Sequence, residues 1–178
     1  MIVIVAGLPG TGKSTLARSL AQRLAGAVLD KDIIRAALFA PAHVEYTRGQ
    51  DDFCLEIMLQ TAAYLLGRNL SSYVFLDGRT FSRRYQRERV FEFCSQLRTT
   101  WIILECTCSE QTALARLEKA AMEKIHPAMN RTPDLYHQIR KVWESIDCPK
   151  LVIDTEDNLD SCVERAAQYL IQMARQTR

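Results

Sequence analysis

The first fifteen residues limit what this chain can become more than any other stretch. Ile2-Val3-Ile4-Val5-Ala6 is an unbroken apolar, β-branched run, the pattern of a strand buried on both faces of a parallel sheet. Gly7-Leu8-Pro9-Gly10-Thr11-Gly12-Lys13-Ser14 then satisfies G-x-x-x-x-G-K-[ST] at every fixed position. Thr15 follows, and Leu16, Leu20 and Leu24 recur at helical spacing with Ala17 and Ala21 beside them. Strand, glycine loop and helix in that order is the context in which this motif cradles phosphate.

The chemistry expected of the loop is specific. Its glycines let successive N–H groups turn toward phosphate oxygens, and the helix starting near Lys13 aims its positive end at the same place. Lys13 would reach the β- and γ-phosphates, and the Ser14 hydroxyl would bind magnesium. The plain alternative is a glycine-rich turn that binds nothing, and the flanking strand and helix argue against it. The expectation is a nucleoside triphosphate, ATP with Mg2+, held by residues Gly7 to Thr15.

Composition narrows the rest. A length of 178 residues suits one α/β domain spanning 1–178. A net charge of +2 is too small to argue for nucleic acid. No apolar stretch is long enough to span a membrane, and the apolar N-terminus lacks the basic leader of a signal peptide. The six cysteines (54, 94, 106, 108, 148 and 162) form no C-x-x-C pair. Cys106 and Cys108 would share one face of a strand, which suggests burial. Reduced thiols in a cytoplasmic protein are expected.

Further along, Ala27-Val28-Leu29 reads as a second strand ending at Asp30, followed by Asp32-Ile33-Ile34-Arg35 in a helix. Asp32 and Arg35 share a helical face just beyond a strand's carboxyl end, where α/β sheets bind ligands. A surface ion pair is the alternative, and the phosphate loop upstream favours function. Residues 40–49 read as a loop and 50–70 as a long buried helix, with Asp51 and Asp52 explained by its N-terminus. The strand Tyr73-Val74-Phe75-Leu76 ends in Asp77-Gly78, and Asp77 is the expected partner of the magnesium shell. Arg79, Arg83 and Arg84 either hold an anionic substrate or face water.

Val90, Phe93, Cys94 and Leu97 mark the core stripe of the next helix, and residues 101–106 a fourth strand. Ser109 looks like the N-cap of a helix carrying Leu114, Arg116 and Leu117. From Ala120 to Pro133 the pattern breaks into a basic, proline-containing stretch, read as a short lid at about 119–134. Arg116 and Arg131 are the candidates to stabilise charge on the transferring group. His126 reads as a turn residue. Leu135, Ile139, Val142 and Ile146 continue at helical spacing, residues 151–153 form a fifth strand closed by Asp154-Thr155, and a long amphipathic helix ends the chain. The alternation predicts a three-layer P-loop NTPase fold, a five-stranded parallel sheet with helices on both faces.

Gly7–Thr15, Asp32-Ile33-Ile34-Arg35, Asp77-Gly78, Arg116-Leu117 and Ile153-Asp154-Thr155 together resemble the small P-loop kinases. The resemblance runs to the AAA-type branch holding zeta toxins, chloramphenicol phosphotransferase and the kinase domain of polynucleotide kinase. It covers nearly the whole chain, and only the phosphate loop is highly specific. It implies that Asp32 accepts the proton of the attacking hydroxyl and that Arg35 helps to hold the acceptor; Arg79 and Asp77, from the loop after the third strand, are the further candidates for binding the acceptor. The branch often carries a second arginine just after Arg-Leu. This chain has Glu118-Lys119 there, so lid chemistry passes to Arg131 or Lys124. Adenylate-kinase-like enzymes are also similar, with the arginine holding an acceptor phosphate. The leading expectation is a kinase acting on a small hydroxyl compound. The alternatives are a polynucleotide 5′-hydroxyl kinase, with Tyr46, Phe81 and Tyr85 as stacking groups, a nucleoside monophosphate kinase, and a nucleotide-dependent switch.

Overall fold

The computed structural model describes residues 1–123 and 132–176. Five strands, β1 (Ile2–Ala6), β2 (Ala27–Asp30), β3 (Val74–Asp77), β4 (Trp101–Thr107) and β5 (Lys150–Asp154), form one sheet in the order β2-β3-β1-β4-β5. Every pairing is parallel. The first strand lies at the centre, buried at all five residues, so its glycine loop opens at the middle of the sheet's carboxyl edge.

The two-residue period of the strands builds the layers. Val3, Val5, Phe75 and Leu104 point to one face, where α1 (Lys13–Leu24) and α7 (Leu159–Gln176) cover them with Leu16, Leu20, Ala166 and Leu170. Ile2, Ile4, Val74, Leu76 and Ile103 point to the other, against α3 (Arg48–Gly67) and α4 (Arg84–Gln96) through Leu55, Met58, Leu59 and Val90. A smaller cluster of Ala113, Leu117 and Tyr136 joins α5 (Glu110–Glu123) to α6 (Pro133–Lys141) and packs Leu8 of the glycine loop against them. The expected three-layer parallel fold is therefore the observed one. The short α2 (Lys31–Leu38) completes the set, with the Asp30 side chain accepting from the N–H groups of Asp32 and Ile33 as its cap.

Several boundaries differ from expectation. The long helix starts at Arg48, because Thr47 caps it by accepting from the Gln50 N–H, and it ends at Gly67. Helix α5 runs to Glu123, past the point at which the lid was expected to begin. Helix α6 stops at Lys141, so Val142 and Ile146 are not on its stripe. The chain is instead drawn across to the loop before α4: the Glu144 N–H donates to the Ser82 carbonyl, and buried Arg87 donates to the carbonyls of Phe81, Glu144 and Ser145. Cys106 is buried on β4, whereas Cys108 lies beyond the strand and is half-buried. Ser109 caps α5 as expected, its Oγ accepting from the Thr112 N–H at 3.2 Å. Lys124, His126 and Arg131 lie outside the described residues.

Candidate active site

The glycine loop turns between β1 and α1, and its shape depends on backbone that a side chain would block. Gly10 has φ +80, and a Cβ there would lie 2.4 Å from the Ala113 carbonyl oxygen. The same close approach seats α5 against the loop. Within the loop the Thr11 Oγ1 and Lys13 Nζ both donate to the Leu8 carbonyl, at 2.8 and 2.7 Å. The Gly7 N–H donates to the Thr80 carbonyl, tying the loop to the end of β3.

Helix α1 begins with no capping side chain and no acidic residue in its first turn. Its leading N–H groups and positive dipole end are therefore left to an external anion. Arg116 reaches the loop from α5. Its guanidinium donates to the Thr155 hydroxyl at 2.9 Å and the Thr155 carbonyl at 2.8 Å, and lies 3.5 Å from the Gly10 carbonyl. Thr155 Oγ1 also donates to the Thr11 carbonyl. Between these elements is a cleft of about 560 Å³, lined by Gly12, Ser14, Thr15, Arg116, Leu117 and Asp157 among others.

Asp77 closes β3 at 0% exposure, and neither carboxylate oxygen has a hydrogen-bond partner. Its neighbour in register is Asp30 at the end of β2. Burial, then the Asp77 charge, raises the Asp30 carboxyl above the ordinary aspartate range. Gly78 keeps the two strand ends together: its φ is +80, and a Cβ would lie 2.7 Å from Asp30 Oδ1. A buried carboxylate lacking donors, together with the half-buried Ser14 hydroxyl of the glycine loop, supplies oxygen ligands of the hard kind that Mg2+ takes, with phosphates and water to complete its shell. The donor set fits the ion.

A second, smaller pocket of about 130 Å³ shares Lys13 with the first and is lined by Pro9, Lys31, Asp32, Asp51, Arg79 and Ile139 among others. Asp32 and Arg35 do meet, at 3.1 Å, but both are buried, so theirs is no surface pair. Arg35 also binds Asp51, which Lys31 reaches at 2.8 Å, and Lys31 lies 3.3 Å from Asp32. Arg79 is buried and pairs with Asp52 at 2.5 Å.

The three arginines of the β3–α4 loop thus part ways. Arg79 enters the pocket, while Arg83 binds Glu144 at 3.0 Å and exposed Arg84 binds Glu88 at 2.6 Å. Phe81, weighed as a stacking group, is buried in the core and offers no face to a base. Lys31, Asp51 and Asp52 were missed as site residues. An acidic pair early in a helix has a local explanation, and the helix dipole supplied it. Arg131 lies outside the described residues, so only Arg116 of the two lid candidates is placed.

Comparison with known proteins follows the same outline. The AAA domain family profile matches residues 2–127. No curated protein matches the chain. Among solved structures, a provisionally named kinase from Chloroflexus aurantiacus superposes with a TM-score of 0.73 at 24% identity, covering 94% of this chain and 96% of that one. A gluconokinase from Sinorhizobium meliloti gives 0.69 at 15% identity over 98% and 93%. APS kinase CysC of Mycobacterium tuberculosis, in complex with AMPPNP and APS, gives 0.68 at 18% over 95% and 96%. At these identities the superpositions establish a shared fold. Because the family profile covers more than half of the sequence, and the glycine loop it spans has the geometry just described, the chain belongs to the AAA domain family.

Proposed function

We propose that this protein is an ATP- and magnesium-dependent phosphotransferase that moves the γ-phosphoryl group to a hydroxyl of a small-molecule acceptor. One observation carries the reading: two pockets meet at Lys13, one against the glycine loop and the other holding a buried carboxylate, Asp32. A binding module needs the first pocket only.

The roles follow from position. The N–H groups of Gly10, Gly12, Lys13, Ser14 and Thr15, at the glycine loop and the uncapped start of α1, hold the phosphates, and Lys13 exchanges the Leu8 carbonyl for β- and γ-oxygens. Ser14 and Asp77 would hold Mg2+, which neutralises phosphate charge when bound. The acceptor oxygen forms a bond to the γ-phosphorus as the bond to the β-phosphate oxygen breaks, and ADP departs. Asp32 takes the hydroxyl proton. A loose transition state asks the carboxylate mainly to orient that hydroxyl and to receive its proton late. Arg35 fixes Asp32 by an ion pair of 3.1 Å. Arg116, anchored on Thr155 beside Gly10, stabilises charge on the phosphates, and Arg131 of the lid joins it. Residues 1–178 act as one kinase domain with the lid at about 119–134.

Transfer of labelled γ-phosphate from ATP to sugars, nucleosides, antibiotics, nucleoside monophosphates and 5′-hydroxyl oligonucleotides tests this reading. The expected result is a labelled small molecule, with Asp32→Asn lowering transfer by about 10²- to 10⁴-fold while ATP still binds. Unchanged transfer in Asp32→Asn would remove the proton-acceptor role. Firm nucleotide binding with slow hydrolysis and no labelled product would turn the reading to a switch.

A further inference from the structure

Resting on the kinase reading, we propose that Lys31, Arg35 and Arg79 at the acceptor pocket are already taken by the protein's own carboxylates, and that the pocket accepts a hydroxyl compound that carries no phosphate group. Around it, Lys31, Arg35 and Arg79 are held by three carboxylates, Asp32, Asp51 and Asp52; of these six, Lys31, Arg79, Asp32 and Asp51 line the pocket itself, beside Lys13. Each cation already has a carboxylate: Lys31 bridges Asp32 and Asp51, Arg35 does the same, and Arg79 holds Asp52. From outside, exposed Arg48 also approaches Asp52, at 3.6 Å.

Burial makes this pairing hard to undo. The Arg35 and Arg79 side chains are each 3% exposed. A phosphate dianion gripped by them would have to sit beside the carboxylates they already hold, or displace them and leave buried charge unpaired. Asp51 and Asp52 already supply the anionic partners that an acceptor phosphate would offer these arginines.

What the pocket offers instead suits neutral hydroxyls. The Nε of Arg79, which lines the pocket, has no hydrogen-bond partner and leaves a donor to give. Asp32 and Asp51 accept, the Gln86 amide and Thr80 hydroxyl do both, and a hydroxyl group needs both kinds of partner. Pro9, Leu135 and Ile139 supply apolar wall for carbon. The pocket, at about 130 Å³ against about 560 Å³ on the nucleotide side, is also far smaller than the space beside the glycine loop. This geometry weighs against the adenylate-kinase-like alternative, in which a phosphate is the acceptor's handle.

The test is calorimetry on protein saturated with magnesium and AMPPNP, which blocks the glycine loop, titrated with inorganic phosphate and with AMP. The wild type should bind neither at millimolar concentration. Asp52→Asn, which leaves Arg79 without its carboxylate, should gain at least about tenfold in phosphate affinity. Asp51→Asn, which strips a partner from both Lys31 and Arg35, should gain similarly. Unchanged AMPPNP affinity shows that each variant is folded. Tight phosphate or AMP binding by the wild type would overturn the proposal, as would two folded variants that gain nothing. Failure of AMPPNP to bind the wild type would overturn the kinase reading and this inference with it.

Discussion

Among the described residues, Asp77 is a buried carboxylate with no hydrogen-bond donor to either oxygen and with Asp30 beside it. Such a group costs stability until something positive arrives. Asp77→Asn is therefore expected to stabilise the nucleotide-free protein by about 1–3 kcal/mol, read as a higher melting temperature. The same variant should lose magnesium-dependent transfer, and a lowered melting temperature would show that Asp77 has a structural task. Lys13→Ala should weaken triphosphate binding, because Lys13 lines both pockets; unchanged calorimetric affinity would count against the phosphate-loop reading. The thiols give a third check. Burial pushes Cys94 and Cys106 up to about 12, so neither forms thiolate near neutral pH in the folded state. A thiol reagent at pH 8 should label half-buried Cys108 and Cys148 first, and Cys94 and Cys106 only on unfolding.

At the scale of elements, the contact between α5 and the glycine loop positions Arg116. Gly10→Ala would push a Cβ into the Ala113 carbonyl and strain a φ of +80. A loss of about 1–3 kcal/mol is expected, together with weakened nucleotide binding, from paired melting and calorimetry. The start of α5 is fastened further by Glu156, which accepts from Thr112 and from Ser109. Those hydrogen bonds hold its carboxyl below the ordinary glutamate value of 4.5. The tie is therefore fully present above pH 4.5 and is lost as pH falls through the lowered value. Amide exchange over residues 110–113 should rise on acidification through that window, and Glu156→Gln should abolish the pH dependence. The spacing of Leu135, Ile139, Val142 and Ile146 misled because it is a local pattern, whereas α6 is ended by distant partners, Ser82 and Arg87.

For the whole molecule, stability rests on two apolar layers with the sheet between them. Leu20, wholly buried between α1 and the sheet, should cost about 2–5 kcal/mol when changed to Ala, measured by denaturant unfolding. The strands, their parallel arrangement and the phosphate loop were legible beforehand, because each is encoded within a few consecutive residues. Val3 and Val5 against Ile2 and Ile4 already state which side chains face which layer. Asp32, Arg35, Asp77 and Arg116 were legible as candidates because they follow strands or sit near a recognisable motif. Their surroundings were not. Lys31 and Asp51 are twenty residues apart and share an ion pair only because α2 packs on α3; Arg79 and Asp52 meet only because β3 ends beside that same helix. Backbone conformation and hydrophobic period are local properties, so the chain's order of residues determines them directly. The partner of a buried charge is set by which elements the sheet brings together, and that pairing was decided by the tertiary structure.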